Sequence, residues 1–143
     1  MHHHVSGIRA TITGFVAGFL AVPFFHQLAQ GALYALNIIP IAPFNMTPVP
    51  PLGIPLVLSA SFWGGIWGII FAFTLLRLRG SAYWIWNIIG GAVLLSVVAA
   101  LIVAPLKHKG IMWDYSIPIM LFALYVNAFW GLGTALIFKL LNR

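Results

Sequence analysis

The chain has 143 residues, of which 62% are hydrophobic and only 6% charged, and its mean hydropathy of +1.06 leaves too little polar surface for a water-soluble globule. Seven basic residues against a single acid, Asp114, give a net charge of +6 that in a soluble protein would point to nucleic acid. Here the basic residues flank apolar runs, so the balance speaks for membrane topology and anionic lipid and against a nucleic acid partner.

A hydrocarbon core of roughly 30 Å takes about 20 apolar residues per helix, so this length suits one domain, residues 1–143, with four spans. The absence of cysteine excludes disulfides, thiol catalysis and cysteine–metal centres. His2, His3 and His4 resemble the remnant of a tag and carry no functional weight.

Ile8–Phe25 is the first predicted span, with Gly14 and Gly18 four apart on one helix face, where a neighbouring backbone can approach closely. It resembles a secretory signal in its charged start and apolar run. An internal match argues against that: Gly14–His26, GFVAGFLAVPFFH, recurs 82 residues later as Ser96–His108, SVVAALIVAPLKH, with valine, alanine, proline and histidine in register. A second match sets Phe62–Phe71, FWGGIWGIIF, against Phe129–Phe138, FWGLGTALIF, 67 residues on, with Pro51 against Pro118. The sequence therefore predicts two tandem repeats of two helices each, about 8–77 and 83–141.

Gln27–Asn37 is short and mildly amphipathic, which suits a continuation of the first helix or an interfacial segment. Six prolines follow between Pro40 and Pro55, removing backbone donors and forbidding a regular helix or central strand. So apolar and irregular a segment cannot face lipid, so it is expected to cap one end of the bundle, burying Phe44, Met46, Val49 and Leu52. The unequal offsets make residues 27–48 the site of a net 15-residue insertion, the part most individual to this chain.

Leu56–Leu76 is the second span, centred on Phe62, Trp63, Gly64 and Gly68, and closed by Arg77, Arg79 and Gly80. Tyr83–Ala104 is the third, carrying Gly90 and Gly91. Pro118–Leu140 is the fourth, with Asn127 near mid-depth beside Phe129, Trp130 and Gly131. The Phe-Trp-Gly triplets are expected to pack helices, and Asn127 to turn inward and find a hydrogen-bond partner. The fold class expected is all-α integral membrane: four transmembrane helices in two parallel repeats, with an irregular proline-rich outer cap.

Arg9, Arg77, Arg79, Lys139 and Arg143 fall at one end of such a bundle, Lys107 and Lys109 at the other beside Asp114. The positive-inside rule then places both termini in the cytoplasm, in a bacterial inner membrane. Paired-carboxylate, triad and P-loop chemistry find no support, so no enzyme is expected. The one constellation with ligand chemistry is His26 with His108, at matched positions, a weak candidate for a metal, a b-type haem or a quinone; no cofactor is expected. Asp114, beside Ser116 and Pro118, reads foremost as the start of the fourth helix.

His26, His108, Asp114, Phe44 and Met46 together make the candidate site for a ligand or partner at the outer end. The leading functional expectation is an accessory or scaffold subunit of a membrane assembly, with a protein partner or a homo-oligomer in the bilayer. The alternatives are an oligomeric transporter of a small molecule or ion, and a haem- or quinone-binding electron carrier.

Overall fold

A computed structural model of the chain describes residues 5–106 and 116–143. Its framework among the described residues is four helices, α1 Gly7–Ala35, α2 Leu56–Leu75, α3 Gly80–Leu106 and α4 Ile117–Leu141, each long and apolar enough to cross a membrane. A two-stranded antiparallel hairpin, β1 Pro48–Val49 with β2 Ile54–Pro55, is the only sheet among the described residues.

α1 starts where the Ser6 hydroxyl accepts the Arg9 N–H at 3.2 Å, supplying one of the bonds that the first turn of a helix lacks. It then runs through Pro23 without breaking. The winding widens into a π-helical turn over Val22–His26, and the helix resumes at Gln27. Gln27–Asn37 thus continues the first helix. It stops at Asn37, whose φ of 57° lies in the left-handed region. There the Ile38 N–H donates to the Leu33 carbonyl at 2.9 Å and the Asn37 N–H to Tyr34 at 3.0 Å, a Schellman closure with asparagine where glycine is usual. α2 begins behind Pro55, and the loop supplies what its first turn needs: the carbonyls of Thr47 and Asn45 accept the N–H groups of Leu56 and Val57, each at 3.0 Å.

The helices alternate in direction, so the termini share one end, here called the near end. α1 packs along α2 and along α4, and α4 packs along α3 as well. α2 and α3 touch mainly close to the near end, where the Trp86 indole donates to the Thr74 hydroxyl at 2.9 Å.

The tightest seam is α1 against α2. A Cβ added at Gly14 would fall 2.7 Å from the Gly68 carbonyl oxygen, and one added at Gly64 would fall 2.7 Å from the Gly18 oxygen and 3.1 Å from the Trp130 indole nitrogen. In α3 and α4 the corresponding close approach is of Gly131 to the backbone of Asn87 and Gly91. The 82-residue sequence match would have set Ala100 there, so the two hairpins share a mode of packing without sharing that register.

The two triplets also occupy different surroundings. Trp130 is 1% exposed and its indole donates to the Gly18 carbonyl at 3.0 Å, whereas Trp63 is 60% exposed and Phe62 faces outward beside it. Phe129 is likewise partly exposed, stacked edge-on against Tyr125. The cause is the number of neighbours. α4 lies between α1 and α3 and buries two faces, while α2 is packed along its length by α1 alone, so the same triplet leaves its tryptophan outside.

Substitution of Gly68 or Gly131 by alanine drives a methyl group into an opposing backbone. Each change should lower unfolding stability in detergent by about 1–3 kcal/mol, the cost typical of overpacking. Gly7→Ala, where a Cβ meets nothing within 4 Å, should leave the melting temperature unchanged in the same thermal scan.

Candidate functional site

At the far end, α1 carries Gln27, Gln30 and Gly31 on one face, at the i, i+3, i+4 spacing of neighbouring helix positions. Both glutamines are buried. The Gln30 amide donates to the carbonyls of Ile41 at 3.3 Å and Ala42 at 3.0 Å, and the Gln27 side-chain oxygen accepts the Phe44 N–H at 2.7 Å. Gly31 leaves room for the Pro43 ring, 3.3 Å from where its Cβ would stand. The stretch from Pro40 to Phe44 has few donors of its own and lies outside any helix or sheet, so two amide side chains supply the pairing that its backbone lacks. Phe44, with φ at 56°, turns the chain at this point toward Asn45, whose side-chain oxygen accepts the Thr47 N–H at 2.8 Å.

This docking reverses the expected direction of the side chains. Phe44, Met46 and Leu52 are exposed, Leu52 at 79%, and Val49 is only half-buried. The segment presents its backbone to α1, because the groups that need partners there are carbonyls and an N–H, and its apolar side chains point away. Phe24, Leu28, Leu36 and Ile38 on and beyond the same stretch of α1 are exposed too. The sequence assigns Gln27 and Gln30 only to the polar side of a mildly amphipathic stretch. The signal that identifies them is their pairing with Gly31 at helical spacing, immediately ahead of a donor-poor segment.

His26 closes the π-helical turn and is half-buried, its Nδ1 3.3 Å from the Gln27 amide nitrogen. An Nδ1 that accepts from an amide leaves the proton of the neutral ring on Nε2, so neither nitrogen offers a free lone pair. His108 and Asp114 lie outside the described residues. Among the described residues, no group of three or more histidine, aspartate or glutamate side chains comes together.

Inside the α3–α4 pair runs a line of polar groups. Asn127 donates to the Ser96 hydroxyl at 3.0 Å, Asn87 donates to the Tyr83 carbonyl at 2.8 Å, and the Tyr83 hydroxyl donates to the Ala135 carbonyl at 2.6 Å. Asn87 and Thr134 are fully buried, and their side-chain oxygens have no partner. Closer to the far end, a cleft of about 140 Å³ opens between α3 and α4, bounded by Val97, Ala100, Leu101, Ile119, Met120 and Ala123. Alanines at two of its walls leave the space.

Of the residues singled out in sequence, Phe44 and His26 are therefore near one another through Gln27, while Met46 stands clear of the glutamine contacts. Gly14, Gly18, Gly64, Gly68 and Gly131 lie at the helix seams. Comparison with protein-family models, curated proteins and solved structures returned no match to this chain.

Gln27→Ala removes the acceptor of the Phe44 N–H and exposes it to water, at a net cost of about 1 kcal/mol. Amide hydrogen exchange at Phe44 should then accelerate by roughly fivefold, in line with that cost, with the exchange of α2 and α4 unaffected.

Proposed function

We propose that this chain is a small polytopic membrane protein that serves as an accessory or scaffold subunit of a membrane assembly, engaging a protein partner or a hydrophobic ligand at its far end. The observation that carries this reading is the proline-rich segment. Two buried glutamines hold its backbone against α1, while its apolar side chains stay outside. Ordering a chain costs conformational entropy, and an ordered surface that displays Phe44, Met46 and Leu52 is suited to contact something apolar. The cleft beside Ala100 and Ala123 offers a second apolar surface at the same end, of a size for part of an acyl chain or a small side chain.

The protein's placement in a bacterial inner membrane with both termini cytoplasmic belongs to the same proposal. Its support is the basic residues Arg9, Arg77, Arg79, Lys139 and Arg143 at the near end, against Lys107 and Lys109, which fall between α3 and α4 in the sequence. Internal duplication, and the parallel arrangement of two hairpins that it implies, rest on the sequence matches.

An oligomeric small-molecule or ion transporter is the alternative. The specific support for it is the pair of buried, partnerless oxygens on Asn87 and Thr134, which in an apolar core are costly unless something visits them. The electron-carrier reading, with a haem or a quinone, rests on His26 beside Gln27 at the far end.

Two measurements test the leading reading. Native mass in mild detergent should fall to that of the monomer and its lipid when residues 40–50 are deleted, and stay at the mass of a complex in the intact chain. A monomeric intact chain would refute the scaffold role. For orientation, an alkaline phosphatase fusion after Arg143 should be inactive and one inserted between residues 40 and 50 active. The reverse pattern would invert the topology.

A further inference from the structure

We infer that the near end of the bundle holds a binding site for the phosphate of an anionic phospholipid, in the recess between the α2–α3 turn and the end of α4. The recess has a volume of about 370 Å³. Arg79 and Lys139 line it from opposite elements, Gly80 and Trp84 form the wall on the α3 side, and Leu76 and Phe138 supply apolar surface. This inference rests on the placement of the chain in a membrane and is independent of what binds at the far end.

Three features of the recess converge on an anion. Lys139 is held in place, its Nζ 5.3 Å from the centre of the Trp84 ring, so its charge stands at a defined point over an aromatic that belongs at a membrane interface. Arg79 is the residue before α3 and has an extended backbone, φ −139° and ψ 162°. No side chain caps the N–H groups of the first α3 turn, which begins at Gly80 on the recess wall. A cation on each side and the open start of a helix between them make a positive concavity, the setting in which a phosphate oxygen replaces a missing cap. The described residues include no aspartate or glutamate, so none of them competes for the two cations.

The apolar part of the recess decides between a lipid and a free anion. Leu76, Phe138 and the face of Trp84 would be wasted on inorganic phosphate, whereas a phospholipid places its glycerol and the start of an acyl chain against such a wall. Arg77, on the same turn, does not line the recess. It serves as an internal comparison for charge in general.

The test is competition binding to the full chain in detergent, read by native mass spectrometry, with phosphatidylglycerol, phosphatidylcholine and inorganic phosphate as probes. The wild type should prefer phosphatidylglycerol to phosphatidylcholine. A polybasic contact is worth about a fivefold change in affinity per cation, so Arg79→Gln and Lys139→Gln should each lower that preference about fivefold, and the double variant about 25-fold. The charge-keeping pair Arg79→Lys with Lys139→Arg, and Arg77→Gln, should retain most of it, and the single variants serve should the double one fail to fold. Equal retention of the two lipids by the wild type, or an unchanged preference in the glutamine variants, would overturn the site. An equal loss in Arg77→Gln would reduce it to diffuse surface charge. Displacement of phosphatidylglycerol by inorganic phosphate at equal concentration would reassign it to a soluble anion.

Discussion

Three helices meet at the backbone of Gly18, and the arrangement of the rest follows from that contact. Gly18 faces Gly64 and Gly68 of α2 with no side chain between the two backbones, while its carbonyl accepts the Trp130 indole N–H from α4. In hydrocarbon, apolar side chains gain little by leaving lipid for protein, so helix association depends on close packing and on hydrogen bonds. The glycine seam provides the first and the indole bond the second. They are not independent. A side chain at Gly64 would press on the indole nitrogen as well as on Val22, so the space that lets α1 approach α2 also seats the largest buried residue of α4.

With α1 and α4 fixed in this way, α3 is added on the far side of α4 through a contact of a different kind. Gly131 lies against the backbone of Asn87, and two hydrogen bonds stitch the pair, Asn127 to Ser96 and the Tyr83 hydroxyl to the Ala135 carbonyl. One hairpin is joined by missing side chains and the other by hydrogen bonds around the approach of Gly91 to Gly131. Phe71 of α2 connects them, edge-on to Trp130 with ring centres 5.3 Å apart and tilted against Trp86 at 6.3 Å.

Much of this was legible in the sequence. The four apolar runs, the glycines spaced by four and the inward turn of Asn127 follow from composition and helical periodicity, both of which act locally. What periodicity cannot give is how many neighbours a helix has, and Trp63 shows the consequence: it matches Trp130 in the internal alignment, yet it lies on the unpacked side of α2. The register of the second hairpin escaped for a related reason, since matched residues report likeness of sequence and close approach reports fit. The proline-rich segment was expected to bury its apolar side chains, and it turns them outward instead. Its apolar composition suggested burial of side chains, while the stronger demand was for donors to its carbonyls, which Gln30 meets.

The unequal lengths of the helices carry a mechanical consequence. α1 has 29 residues and α2 has 20, about 43 Å against about 30 Å of helix. The shorter one matches an average hydrocarbon layer, so in a bilayer it would set the depth of the pair, and the glycine seam would pass that depth on to α1. The glutamine-held segment therefore stands at a height fixed by α2 and by the thickness of the surrounding bilayer. In a thicker or thinner membrane the pair would tilt or shift together, and the displayed apolar side chains would move relative to the headgroups. For a chain that spans a bilayer, the bilayer's thickness would thus bear on whether that surface meets water or the lipid headgroups.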